Sequence, residues 1–174
     1  SSKMSAIGQR PICQDTGIVI AFIEVGMDVE WLSDLSIEDM VNEGVRRAYT
    51  NQDNPLRPSM VLDPTGKRQN TKDNTPAVTH VKLIQGNKVH ISISAKGGGS
   101  ENKAQFTTLN PSENIVDWIL KVIPEMGAGW CPPGVVGIGI GGSSEKAMLM
   151  AKESLMLPID IQSLVNRGPK NKIE

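Results

Sequence analysis

Residues 18–25 have the sequence IVIAFIEV, a short apolar run that is rich in β-branched residues. Such a run predicts a buried β-strand. Two further segments, 77–84 and 88–95, flank Gln85-Gly86-Asn87, which is typical of a β-hairpin turn. We therefore expect one sheet that contains the first strand and this hairpin.

The second strand of the predicted hairpin alternates between apolar and polar side chains. Strict alternation predicts that one face of the strand is buried and that the other is wet or faces polar groups. The buried face would carry Val89, Ile91, Ile93 and Ala95, and the polar face His90, Ser92 and Ser94.

Three helices are predicted around these strands. The first begins at Ser36, whose hydroxyl can cap the first turn, with Asp39 three residues on. The others span 112–123, where Pro124 stops the helix, and 145–157. Residues 56–74 are predicted to form a long loop and 135–140 a short strand. The expected class is α/β of the α+β type: a mixed, largely antiparallel sheet with a hairpin, covered by helices.

The composition excludes several classes of protein. Apolar residues make up 39% of the 174, and the formal net charge is -1, so the chain is globular and lacks the basic stripe of a nucleic-acid binder. No apolar run is long enough to span a membrane. Two cysteines cannot form a disulfide framework, which indicates a reducing, cytoplasmic compartment. The length predicts a single domain over 1–174, with loose ends at 1–9 and 167–174.

A polar cluster comes directly before the first strand, where residues 11–17 have the sequence PICQDTG. It places a thiol, an amide, a carboxyl and a hydroxyl at consecutive positions, which suits a functional site better than a core. A polar turn with one buried cysteine explains the residue types equally well, since free cysteines are commonly buried.

A glycine-rich segment follows the last strand of the hairpin, with the sequence KGGGS at 96–100. Three glycines permit left-handed backbone and let a ligand approach the main chain closely. Their bare N–H groups, helped by Lys96 and Lys103, can form an anion-binding nest. A flexible loop after the hairpin is the equally weighted alternative.

The second cysteine lies in the sequence GWCPPG at 129–134. Two prolines hold that thiol in a rigid turn, which suits a metal ligand whose direction must be fixed. Taken alone, the segment is also consistent with a buried cysteine in a tight connection. The two cysteines form no zinc signature, and His80 and His90 are expected on strand faces.

One competing motif lies near the end of the sequence. Gly137, Gly139 and Gly142 have the G-x-G-x-x-G spacing between a predicted strand and a helix, and Asp160 follows at the distance seen in dinucleotide-binding units. Because only one further strand can follow, this interpretation is disfavoured.

Four strings in this order carry a resemblance: PICQDTG at 11–17, NTPA at 74–77, AKGGGSENK at 95–103 and CPP at 131–133. Taken together, they resemble one family, the iron–sulfur hydro-lyases. These are the class I fumarate hydratases and L(+)-tartrate dehydratases, in their α subunit or amino-terminal half. The resemblance covers about residues 10–157 and implies that the chain is the central part of the α region.

The resemblance implies a [4Fe–4S] cluster that is held by three thiolates and has one iron open to substrate. Cys13 and Cys131 match the first two ligands, and the third cysteine is not present in this chain. The open iron would act as a Lewis acid on the substrate. The family reaction is the reversible addition of water to a dicarboxylate double bond, as in fumarate to malate, or the dehydration of tartrate.

The resemblance also implies roles for single residues. Asp15 would act as the acid toward the departing hydroxyl, which requires a raised pKa. Gln14 would hold the substrate, and Arg57 would clamp a substrate carboxylate with its planar fork. The backbone of Gly97 and Gly98 would lie against substrate and cluster.

The family pattern implies a partner, because the β subunit or C-terminal half supplies the base and further arginines. We expect a homo- or hetero-oligomer, with this chain inactive by itself. The main alternative is a non-catalytic binding or assembly module that lacks a complete cluster. The weaker alternative is a dinucleotide-binding unit at 137–142. The sequence does not separate fumarate from tartrate or from another dicarboxylate.

Overall fold

The computed structural model describes residues 2–10, 16–53, 56–130 and 134–170. The chain forms two compact units, Ser1–Gly98 and Gly99–Glu174, and the single domain over 1–174 stays a prediction. In chain order the elements are α1 (Ser2–Gly8), β1 (Ile18–Gly26), α2 (Ile37–Thr50), β2 (Val61–Leu62), β3 (Gln69–Asn70), β4 (Val78–Ile84), β5 (Val89–Lys96), α3 (Gly98–Glu101), α4 (Ile115–Glu125), α5 (Ser144–Ser154) and α6 (Ile161–Arg167).

The first unit contains a three-stranded mixed sheet in the order β4-β1-β5. β1 is parallel to β4 and antiparallel to β5. β2 and β3 form a separate two-stranded antiparallel hairpin within the predicted long loop. The predicted class is therefore confirmed: an α+β chain with a mixed sheet and a hairpin.

The hairpin predicted around Gln85-Gly86-Asn87 is wrong in its pairing. β4 and β5 are joined by that turn, but β1 lies between them. The end of β1 hydrogen-bonds into the turn, with the Gly26 N–H donating to the Lys88 carbonyl at 2.8 Å and the Met27 N–H to the Ile84 carbonyl at 2.9 Å. A Cβ on Gly26 would clash with the Gly86 carbonyl, so only glycine allows this insertion. The most apolar strand thus takes the central position, where both of its edges are paired.

The core of the first unit is the contact between β1 and α2. Ser36 caps α2, because its hydroxyl oxygen accepts the Asp39 N–H at 3.1 Å, as the sequence predicts. Apolar residues at helical spacing then cover one face of the central strand. The packed residues are Val19, Ala21, Ile23 and Val25 of β1, Val41, Val45 and Tyr49 of α2, and Ala77.

The predicted burial of the apolar face of β5 is wrong. Ile91 is 58% exposed and Ile93 is 62% exposed, and Val89 is also exposed. α2 is a single helix, and its contacts reach the central strand rather than both neighbours. The alternation on β5 indicates the strand and its two faces correctly, but it cannot say which face is covered.

The second unit contains α4, α5 and α6. The side chain of Asn114 caps α4 by accepting the Val116 N–H at 2.8 Å. Pro124 lies in the last turn of α4 rather than beyond it. The predicted strand at 135–140 is wrong, because these residues form no strand in the described part of the unit. The dinucleotide-binding alternative therefore lacks the strand that its glycine motif must follow.

The amino-terminal end, which the sequence predicts to be loose, contains a short helix. α1 occupies Ser2–Gly8, where the sequence suggests no regular structure. Residues 171–174 lie outside the described part. None of the helices in the described ranges has the length and apolar character that crossing a membrane requires.

Candidate active site

Three of the motif segments adjoin one end of the sheet. The start of β1 lies beside the end of β5, with Ile18 opposite Lys96, because these strands are antiparallel. The start of β4 lies at the same end, with Val78 opposite Ile20, because β4 is parallel to β1. The described residues that enter or leave the strands here are 16–17, 74–77 and 95–98.

Gly17 is in close contact with the end of β5. Its φ is +73°, and a Cβ on it would clash with the carbonyl group of Lys96 and lie 2.7 Å from the Gly97 nitrogen. Only glycine satisfies both conditions, a left-handed backbone and no side chain. Gly97, predicted to lie along the substrate, is thus next to Gly17, which follows Asp15 by two positions in the sequence.

Asn74 connects a further loop to this end of the sheet. Its side-chain oxygen accepts the N–H groups of Ser59 at 2.8 Å and Met60 at 3.1 Å. Its side-chain nitrogen donates to the Gly17 carbonyl at 3.1 Å. The loop after Arg57 is therefore held beside the residue that precedes β1.

A cleft of about 390 Å³ lies where these segments meet. Its walls are largely backbone and apolar side chains, which suits close approach of a ligand to main-chain groups. Gly98, one of the predicted substrate-binding glycines, is among the lining residues. These are Gly17, Ile18, Ser59, Met60, Val61 and Gly98.

Arg57 lies on an exposed stretch of loop, two residues before Ser59. It is not among the residues that line the cleft. The structure therefore brings the Arg57 loop to the cleft through Ser59 and Met60, and it leaves the guanidinium outside the lining. The role of Arg57 as a carboxylate clamp stays a prediction.

Asp73 fixes the turn that precedes β4. One carboxylate oxygen accepts the Thr75 N–H at 3.0 Å and the Thr75 hydroxyl at 2.8 Å, and the other accepts Nε of Arg46 at 3.2 Å. Burial raises the pKa of Asp73, but the hydrogen bonds from Thr75 and Arg46 outweigh it and bring the pKa below 3.8. The residue before Asn74 is thus anchored to α2.

Tyr49 of α2 lies beneath Thr16, the residue that follows Asp15. The buried Tyr49 hydroxyl donates to the Thr16 carbonyl at 3.4 Å and accepts from the Thr16 hydroxyl at 3.5 Å. Both distances are long, so this contact positions Thr16 more weakly than Asn74 positions Gly17.

In the second unit, the other part of the glycine-rich segment lies against the residues that precede Cys131. The Ser100 hydroxyl donates to the Trp130 carbonyl at 3.1 Å, and a Cβ on Gly99 would clash with the Gly129 carbonyl. Glu101 is held by Lys152 of α5 at 2.6 Å. Glycine at position 99 is therefore required by close packing.

Four of the predicted site residues lie outside the described part of the structure. They are Cys13, Gln14, Asp15 and Cys131. No cluster of three or more potential metal-ligating side chains occurs among the residues that are described. Their roles stay predictions.

Comparison with known proteins agrees with the resemblance. The model of the family described as Fumarate hydratase (Fumerase) matches residues 1–173. A protein named "Putative L(+)-tartrate dehydratase subunit alpha" from Methanocaldococcus jannaschii is 35% identical over 167 residues, which cover 91% of this chain and 57% of that protein. The L(+)-tartrate dehydratase subunit alpha of Escherichia coli K12 is 30% identical over 155 residues, covering 86% of this chain and 50% of that subunit.

The fold is of the α+β class, and the match of the family model over residues 1–173 shows the family. The chain belongs to the fumarate hydratase (Fumerase) family. It spans between half and three fifths of the length of these curated relatives.

No individual role was predicted from the sequence for Asn74, Ser59 or Tyr49. The string NTPA at 74–77 contributes to the resemblance, but a string does not show which side chain is buried. Asn74 is fully buried, and its three partners lie 14, 15 and 57 residues away in sequence. Only the tertiary structure brings these groups together.

Proposed function

We propose that this chain is part of an iron–sulfur hydro-lyase that reversibly adds water to the double bond of a small dicarboxylate. One observation carries the proposal. The segments that flank Asp15, Arg57 and Gly97 meet around one cleft at the end of the sheet. These are the segments to which the family resemblance assigns the substrate.

The donor chemistry of the chain fits a [4Fe–4S] cluster in part. Thiolates are the usual ligands of such clusters, and the chain contains two, Cys13 and Cys131. Gly17 and Gly98 leave bare backbone at the cleft, and Gly17 follows Cys13 by four positions in the sequence. The remaining ligand would come from residues outside this sequence. When bound, the cluster would supply a Lewis acid for the substrate oxygens.

The segment after Cys13 would supply the proton chemistry. Asp15 would donate a proton to the hydroxyl as it departs, and it would recover the proton in the hydration direction. Gln14, beside it, would hold the substrate through its amide. The contacts of Gly17 and Thr16 fix the chain directly after these two residues.

The loop of Arg57 would supply the charge that recognises a dicarboxylate. A guanidinium binds a carboxylate through two parallel hydrogen bonds, which orients the substrate as well as attracting it. The backbone of Gly97 and Gly98 would lie against the substrate because no side chain separates it from the cleft.

The complete enzyme would contain a second component that corresponds to a β subunit or to a C-terminal half. The relatives named as tartrate dehydratase subunits alpha support this part of the proposal. Fumarate and L(+)-tartrate are the substrates to test first. The low cysteine content favours a reducing compartment, and we place the enzyme in the cytoplasm.

The decisive experiment uses the complete enzyme that contains this chain, loaded with iron and sulfide without oxygen. We expect visible absorbance of a cluster, and turnover of fumarate or of L(+)-tartrate. Cys13→Ala should abolish both. His90→Ala is the matched control, because it removes a potential ligand on a strand face and should leave both unchanged.

Two results would contradict the proposal. The first is a wild-type enzyme that turns over neither dicarboxylate after loading. The second is full activity in Cys13→Ala. That result would also favour a non-catalytic role, in binding or assembly, for the segment that contains Cys13.

A further inference from the structure

Asn74 is the one polar residue that is fully buried among those the structure describes. Burying a side-chain amide is unfavourable unless its groups are hydrogen-bonded. Here its oxygen accepts two N–H groups, and its nitrogen donates to a carbonyl, all within 3.1 Å. The amide is therefore matched to three backbone groups.

These three backbone groups belong to two separate segments. Ser59 and Met60 lie on the loop that follows Arg57, while Gly17 ends the segment that contains Asp15. None of the three groups is in a strand or a helix. The side chain of Asn74 thus bridges two irregular segments that have no ladder to hold them together.

The backbone on both sides of Asn74 is held by contacts with α2. Asn74 has φ +60°, a left-handed conformation that asparagine adopts more readily than most residues. Asp73 before it is bound to Arg46, and the Ala77 N–H after it donates to the Asn42 side chain at 2.8 Å. Both anchors belong to α2, so displacement of Asn74 is restricted on both sides.

Both bridged segments line the cleft. Gly17, Ser59 and Met60 are lining residues, whereas Asn74 itself is not. Loss of the Asn74 side chain would therefore alter the cleft indirectly, because Gly17 could move relative to Ser59 and Met60.

We infer that Asn74 is a positioning residue, which sets the distance between the Ser59–Met60 loop and Gly17. This inference rests on the proposed function. The oxygen side of the amide holds the loop that would bind the substrate carboxylate. The nitrogen side holds Gly17, which follows Asp15, the predicted proton donor, by two positions in the sequence.

Two variants distinguish the hydrogen bonds that the amide oxygen accepts from the one that the amide nitrogen donates. Asn74→Gly removes all three hydrogen bonds and keeps a residue that tolerates φ +60°. Asn74→Asp keeps an oxygen for Ser59 and Met60 but replaces the donor to Gly17 with an acceptor. The matched control is Asn114→Ala, which removes another asparagine whose side-chain oxygen accepts two backbone N–H groups, those of Val116 and Asp117 at the start of α4.

The test measures KM, kcat and amide hydrogen exchange in the complete, iron-loaded enzyme with fumarate or L(+)-tartrate. Asn74→Gly should raise KM about tenfold or more and lower kcat, because both segments are released. It should also speed exchange at the Ser59 and Met60 amides. Asn74→Asp should lower kcat about tenfold and leave KM and these exchange rates within about twofold.

Asn114→Ala should lower the melting temperature, because α4 loses its cap, and leave KM and kcat within about twofold. Unchanged KM, kcat and exchange in Asn74→Gly, beside an active wild type, would overturn the inference alone. The inference would also be overturned if neither Asn74 variant folded, since Asn74 would then be a stability residue. An inactive wild type would instead reject the proposed function.

Discussion

Gly17 lies against Lys96 so closely that a Cβ atom on Gly17 would clash with the Lys96 carbonyl group. The contact joins the segment before the central strand to the glycine-rich segment after β5. It exists because β1 and β5 are antiparallel neighbours with Ile18 opposite Lys96. The candidate site depends on this contact, because it brings the two segments together beside the cleft.

Gly17→Ala should destabilise the fold. The left-handed backbone alone costs a non-glycine residue about 1–2 kcal/mol, and the clash with Lys96 adds to it. Denaturant unfolding monitored by circular dichroism measures the change. Gly44→Ala is the control, because Gly44 lies in α2 with open space around it, and alanine should stabilise the helix by about 0.5–1 kcal/mol. Equal stability of the two variants would contradict the close contact.

Arg57→Lys should raise KM for the dicarboxylate in the complete enzyme. Lysine keeps the charge but loses the planar fork, and a hydrogen bond between charged groups contributes about 1.5–3 kcal/mol, which corresponds to roughly 10–100-fold. Steady-state kinetics measure the effect. Arg68→Lys, a second arginine from the same predicted loop, should leave KM unchanged. Similar KM values for both variants would remove Arg57 from the site.

Asp73 should contribute to acid stability. Its pKa is lowered in the folded chain, so its contribution is present above the ordinary value of 3.8 and is lost as the pH falls through the folded value. Asp73→Asn should lower stability at neutral pH and flatten its decline in acid. Thermal unfolding between about pH 2 and pH 7 tests this.

The control for this measurement is Asp34→Asn, at an exposed position in the loop before α2. It removes the same formal charge without removing the contacts to Thr75 and Arg46. An identical pH dependence in the two variants would show that the hydrogen bonds of Asp73 do not stabilise the fold.

Gly139→Ala should destabilise the second unit. A Cβ at this position would clash with the Ala147 carbonyl of α5, so residues 134–140 could not keep their contact with the helix. Overpacking of this kind costs about 1–3 kcal/mol. Gly141→Asn is the control, because open space surrounds this position and asparagine tolerates its φ of +87°.

Calorimetry on both variants, with and without NAD, tests two points. It measures the effect of the Gly139 contact on stability, and it tests the alternative of a dinucleotide-binding unit at 137–142. We expect no NAD-dependent rise in the melting temperature of the wild type, because the strand that a dinucleotide-binding motif must follow is not formed. A rise of several degrees that Gly139→Ala abolishes would support nucleotide binding instead.

Local sequence signals predicted most of the individual elements. The β-branched run predicted β1, the Ser36 cap predicted the start of α2, and apolar alternation predicted β5. These signals act within a few residues, so they identify an element without its neighbours. The pairing of β1 with both β4 and β5 depends on contacts between residues far apart in sequence, and the hairpin prediction failed for that reason.

The candidate site divides in the same way. The amino-acid order alone determined which chemical groups stand in the four strings that characterise the family, namely a thiol, an amide, a carboxyl and bare glycines. Tertiary structure alone decided that Gly17, Ser59 and Gly98 share one cleft and that Asn74 connects two of its walls. Strand direction is the physical reason, since one antiparallel and one parallel neighbour bring three distant chain segments to the same end of β1.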